Sequence, residues 1–196
     1  GEDRINHKEF IVGIVPFARY YNSIQPIQVE ERLPPGWSHS YSARLLGASP
    51  EAVIVDALRS DGRAVRFRRQ GDGTFVAEGD AGLELRYELD NGTHYWVMYH
   101  AGGQREFYTH NPNRLVFIED AAGNRTELHY DNVGYDGKLL RRVIGPFGHQ
   151  LTLHYQNGPG ALEAVEETVD ARTLPTPEYV EYDFNSEGQL GVVTYR

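Results

Sequence analysis

The chain has 196 residues, of which 19 are basic and 28 acidic, giving a net charge of −9, and it contains no cysteine. That length can bury a sizeable core in one domain or one continuous repeat array. The charge argues against a nucleic-acid duplex as the main partner, because phosphate binding needs a basic surface, and the lack of thiols excludes disulfides and thiolate metal sites while leaving the redox compartment open.

Thirteen Tyr and eight Phe, set among 21 Gly and ten Pro, favour a β-rich chain cut by many turns. No stretch shows sustained helical periodicity. The first apolar run, "FIVGIVPFA" from Phe10 to Ala18, is too short to span a bilayer and is broken by Pro16, so it predicts a pair of strands bent at Gly13 and Pro16 rather than a membrane segment or signal. A loop follows, with Pro26, Pro34 and Pro35 preventing ladder pairing. "WSHSYSARLL" then reads as one strand from Trp37 to Leu46, with Trp37, His39, Tyr41 and Ala43 toward a core and Ser38, Ser40, Ser42 and Arg44 toward water.

The middle of the chain carries four close hairpin signals, at Asp61-Gly62, Gly71 to Gly73, Asn91-Gly92 and Gly102-Gly103. Around the third, Tyr87 and Leu89 precede the turn and Tyr95, Val97 and Tyr99 follow on one face, predicting cross-strand aromatic pairs. The one basic run, "RAVRFRR" at Arg63 to Arg69, splits its charge over both strand faces. It reads as a solvated strand in preference to an anion site.

From Leu115 a repeating text begins. Leu115 and Phe117 share a face, Asp120 to Asn124 turns, and Thr126, Leu128 and Tyr130 return inward, with Glu127, His129 and Asp131 outward. A second copy turns at Gly145 to Gly148 and returns with Leu151, Leu153 and Tyr155 inward and Thr152 and His154 outward. A looser third copy alternates Val180, Tyr182 and Phe184 with Glu181 and Asp183 before Gly188-Gln189-Leu190. A lone hairpin cannot bury such a face, so the expectation is that copies stack. The predicted fold is therefore all-β, consecutive antiparallel hairpins forming a curved or spiralling sheet, with residues 1–112 preceding the repeats and 113–196 forming them. The stretch from Asn157 to Glu178 interrupts the period.

Tyr130-Asp131 with Gly137-Lys138-Leu139, and Tyr182-Asp183 with Gly188-Gln189-Leu190, resemble the "Tyr-Asp … Gly-Arg-Leu" phrase of the Rhs or YD-repeat family. "RYYNS" at Arg19 to Ser23 and "GWSHSY" at Gly36 to Tyr41 resemble, in the same order, the text preceding the repeats in those proteins. Lys138 in place of the usual Arg, the lengthened "YDNVGYDGKL" and Tyr155-Gln156 in place of Tyr-Asp depart from the pattern. The resemblance implies a ribbon of hairpins that spirals into a hollow shell enclosing a C-terminal toxin in bacterial polymorphic toxins, secreted or delivered at the cell surface. On that reading the chain is a non-enzymatic, N-terminal portion of a longer protein. Its partners would be the rest of the parent chain and its toxin, together with secretion-apparatus proteins, with no nucleic acid and no membrane insertion, and its open strand edges would tend to self-pair. The residues expected to carry this role are positional: Gly36, Trp37, Tyr41, Gly123, Tyr130, Gly148, Tyr155, Tyr182 and Gly188. The family's self-cleaving aspartyl protease motif has no match here, and no catalytic or cofactor-binding residue is assigned.

Other chemistry reads less well. "GWSHS" lacks the second Gly of a nucleophile elbow, since Ser40 stands there. His129 and His154 occupy equivalent positions and invite a metal reading, with Glu127 or Asp131 as a third ligand, but repetition alone accounts for them and the expectation is no metal. Glu30-Glu31 and Glu166-Glu167 read as solvated acids, and Gly71 to Thr74 lacks the ligand series of a calcium loop. The alternative function is an extracellular β module binding glycan or protein through Trp37, Tyr95, Trp96 and Tyr99, for which core packing is the competing account.

Overall fold

The computed structural model describes residues 15–21, 33, 36–80, 82–131, 139–155, 162–169, 178–184 and 190–195. As expected, the protein is built almost entirely of antiparallel strands joined in chain order, with one short 3-10 turn at Pro146–Gly148 as the helical exception among the described residues. It folds as two compact units, one comprising residues 1–40 and 128–196 and the other 41–127. The 112/113 boundary suggested by the repeats falls inside the second unit.

In the first unit, β1 (Arg19–Tyr21) pairs with β2 (Trp37–His39) as a two-stranded sheet. The strand expected from Trp37 to Leu46 is thus divided, and β3 (Arg44–Leu46) belongs to another sheet. Ser40 explains the break. Its N–H donates to the Ala18 carbonyl at 2.9 Å and its Oγ accepts the Ala18 N–H at 2.8 Å, closing the β1–β2 ladder at that point. The expected faces also fail there, since Ser38 and His39 are both buried.

The second unit continues with β4 (Ile54–Leu58), β5 (Ala64–Arg69), β6 (Phe75–Ala77), β7 (Leu83–Asp90), β8 (Thr93–His100), β9 (Arg105–Thr109) and β10 (Leu115–Glu119), each pairing with its predecessor. All four hairpin signals become turns. At Asn91-Gly92 both residues have positive φ, 47° and 83°, the geometry whose twist matches the flanking strands. Because that loop has two residues, Tyr87 lies opposite Trp96 and Leu89 opposite His94, while Tyr95, Val97 and Tyr99 face Glu88, Arg86 and Glu84. The expected partners of Tyr87 are therefore on the wrong face. Its aromatic neighbours are Trp96, His94 and His110, at 5.1, 5.1 and 5.3 Å between ring centroids.

The sheet of this unit curls until its ends meet. Arg44 of β3 bridges to Arg114, just before β10, and the Leu45 N–H donates to the Asn113 carbonyl at 3.0 Å. Inside the curl lie Val55, Ala57, Phe67, Phe75, Leu85, Trp96, Met98, Tyr108 and Leu115, nearly all fully enclosed. A register shift between Leu115 and Phe117 corrects the expectation that these two share a face: Leu115 pairs with Tyr108 inside, whereas Phe117 pairs with Phe107 outside. There Phe107 and Phe117 stack at 4.2 Å and pack with Val97 and the half-buried Tyr95 and Tyr99.

The strand β11 (Arg125–Asp131) starts in the second unit, pairing with β10, and ends in the first. The first unit then runs through β12 (Leu139–Ile144), β13 (His149–Tyr155), β14 (Leu162–Val169), β15 (Glu178–Phe184) and β16 (Leu190–Tyr195), again paired in series. Leu140, Val143, Leu151, Leu153, Leu162 and Val165 form its core. The text that interrupted the period contains β14, so it extends the strand series.

Candidate functional site

Gly36, Gly123 and Gly148 have φ of 85°, 87° and 82°, a region that L side chains rarely adopt. Tyr41 is buried, and Trp37 is half-buried with Tyr21 beside it at 5.3 Å and the Arg19 guanidinium at 5.2 Å. Tyr155 is buried and donates its hydroxyl to the Leu140 carbonyl at 2.9 Å, with Arg141 over its ring. Tyr130, its repeat counterpart, is half-buried, so the two do not fill equally enclosed places. Tyr182 lies in β15, where the backbone alone is described, and Gly188 lies outside the described residues.

His154 Nε2 is 3.0 Å from Glu166 across β13 and β14, a contact between neighbouring strands. His129 is half-buried, not turned to water as expected. Among the described residues no three His, Asp or Glu side chains gather as metal ligands. Three of the four arginines of the basic run are paired with acids: Arg63 with Asp61, Arg66 with Asp56 and Arg68 with Glu78. Of the four aromatics considered as a sugar platform, Trp96 is fully enclosed, which leaves it no ring face for a ligand to stack on from outside.

The most organised chemical cluster was not anticipated. Arg59, at the end of β4, crosses the interior of the second unit to β9, where Nη1 and Nη2 donate to Glu106 Oε2 and Oε1 at 2.6 and 2.7 Å. The Tyr108 hydroxyl donates to Glu106 Oε2 at 2.5 Å and accepts from Arg59 Nη1 at 3.0 Å. His100 Nε2 stands 3.2 Å from Glu106 Oε1, and Met98 Sδ is 3.1 Å from Arg59 Nη1. Burial works to raise the Glu106 pKa, but hydrogen bonds from Arg59 and His100 outweigh it and hold the carboxyl far below its ordinary range. Burial also favours the neutral form of Arg59, yet the bond to Glu106 overrules it and keeps the guanidinium charged. Tyr108, wholly buried and next to the Glu106 charge, is pushed well above the ordinary phenol value and stays protonated.

This arrangement fixes charge and does not move it. Glu106 is spent as an acceptor, Arg59 as a bidentate donor, and Tyr108 completes the ring of bonds. Four strands separate β4 from β9 in the sheet, so the pair can form only when the sheet curls. It is a lock on curvature. Sequence alternation could not reveal it, because β9 buries Glu106, Phe107 and Tyr108 in succession and offers no polar face against which an inward Glu would stand out.

Outside the curl a second ionic group ties four strands: Arg105 and Arg125 both bond Glu119, and Arg125 reaches Asp90 at 3.1 Å. Arg125 also lies 4.3 Å from the Phe117 ring centroid, covering the outer aromatic cluster. No protein-family model matches the chain, and no characterised protein matches it either.

Proposed function

We propose that the chain is a non-enzymatic structural segment of a shell of the Rhs or YD-repeat kind, serving to enclose and scaffold a toxin carried C-terminally in the parent protein. The observation that carries this reading is the strictly serial pairing of strands, most plainly β12 to β16, in which each strand's neighbours in the sheet are its neighbours in the chain. Such a series can be continued by one hairpin after another, as an enclosing wall requires. The two Tyr-Asp phrases and the ordered "RYYNS" and "GWSHSY" phrases support it from the sequence. The second unit has a core closed by its own curl. Limited proteolysis of the polypeptide encoded by the full reading frame tests the proposal. A C-terminal region cleaved quickly when expressed alone is expected to resist cleavage within the parent, and equal cleavage in both settings contradicts enclosure.

A further inference from the structure

In the second unit β6 ends its pairing at Phe75 opposite Leu85, whereas β7 continues to Asp90. From Arg86 onward, among the described residues, β7 is paired on the β8 side alone. The two-residue Asn91-Gly92 turn makes Asp90 and Thr93 a hydrogen-bonded closing pair, so even-numbered residues of β7 bond to β8. The Ala101 N–H bonded to the Gly82 carbonyl at 2.9 Å has the same phase. Tyr87 and Leu89 therefore direct their N–H and C=O groups away from β8, into the gap that β6 leaves. Leu89 is 63% exposed beside that gap.

The gap coincides with a cavity of about 430 Å³, whose lining includes Arg69, Asp72, Phe75, Tyr87, Arg86 and Trp96. Most of its charges are already engaged. Asp72 accepts the Thr74 N–H and hydroxyl at 3.0 and 2.7 Å, and Arg86 pairs with Glu84. Glu88 accepts the Tyr99 hydroxyl at 2.8 Å. Arg69 differs: its guanidinium rests 6.0 Å from the Phe75 ring centroid, and among the described residues no carboxylate pairs with it. Trp96, in the cavity wall, has an indole N–H with no acceptor among the described residues. What remains unspent is a strand edge, an exposed Leu and a cation.

We infer that the gap beside β7 is a binding site for an extended acidic peptide, which adds as a short strand along Tyr87–Leu89 and sets a carboxylate against Arg69. Backbone bonds to the edge supply register, the exposed Leu89 and half-buried Tyr87 side chains take apolar side chains, and Arg69 selects for acid. The site stands on the second unit alone and does not depend on the shell reading.

The test is a titration of isotope-labelled protein with acetyl-Thr-Val-Glu-Val-amide, followed by amide and indole resonances. Saturable shifts are expected at Tyr87, Leu89 and the Trp96 indole, with slowed hydrogen exchange at the Tyr87 and Leu89 amides. Arg69→Ala, at an exposed position, should weaken binding at least about tenfold, since a hydrogen-bonded charge pair is lost. The same peptide with Lys in place of Glu should not bind, which gives a second reading of the charge preference independent of any change to the protein. Absence of saturable shifts overturns the inference, as does binding that survives N-methylation of the peptide backbone or is indifferent to both charge changes.

Discussion

Replacing Arg59 by Met removes one half of the lock that closes the second unit. Glu106 is 4% exposed and would keep the Tyr108 and His100 contacts while losing two bonds of 2.6 and 2.7 Å to a guanidinium. Breaking a buried, hydrogen-bonded pair by removing one partner costs about 3–5 kcal/mol, because the other charge stays buried without compensation. The double variant Arg59→Met with Glu106→Leu removes both charges and should recover most of that loss, since well-packed apolar replacements of buried pairs are often neutral within about 1–2 kcal/mol or better. Urea unfolding of the wild type, both single variants and the double variant gives the coupling energy directly. The pH dependence follows from the depressed carboxyl. Its folded pKa lies below the ordinary glutamate value of 4.5, so the stabilisation is complete above that value and is lost as pH falls toward the folded pKa. The wild type should lose stability between about pH 5 and about pH 3 more steeply than the double variant, which has no carboxyl at this place. A single variant costing under about 1 kcal/mol, or a double variant no better than the worse single one, would refute the lock.

Tyr155→Ala should cost about 3–5 kcal/mol by chemical denaturation, as buried aromatic truncations do, whereas Tyr130→Ala should cost clearly less because Tyr130 is only half-buried. Tyr155→Phe isolates the bond to the Leu140 carbonyl and should cost about 0.5–1.5 kcal/mol. Gly92→Ala places a side chain at φ 83° and should cost about 1–2 kcal/mol in the same assay. Arg66→Ala should leave the unfolding midpoint nearly unchanged, since its ion pair with Asp56 lies in solvent.

Local chemistry was legible in the sequence wherever it acts through neighbours in the chain. Asp61-Gly62 and Asn91-Gly92 supply positive φ without help from distant residues, and Leu151, Leu153 and Tyr155 alternate inward because β13 has one buried face. Features that need a partner far along the chain were not legible. Arg59 and Glu106 are brought together by the curl of five intervening strand pairings, and a single-residue register shift moved Phe117 to the face opposite Leu115. The error at Tyr87 has a smaller cause: counting alternation through a turn requires the turn's length, and a two-residue loop sets Tyr87 opposite Trp96. In the same way nothing in "TFVAEG" announces that β6 stops short of β7, although that shortfall opens the gap beside Tyr87.

Electron cryo-microscopy of the polypeptide encoded by the full reading frame tests the enclosing role most directly. The account predicts a continuous β wall, its hairpins following one another in chain order from β12 onward, surrounding a separate C-terminal body. A parent protein in which β16 ends the strand series and no wall surrounds a further domain would contradict it.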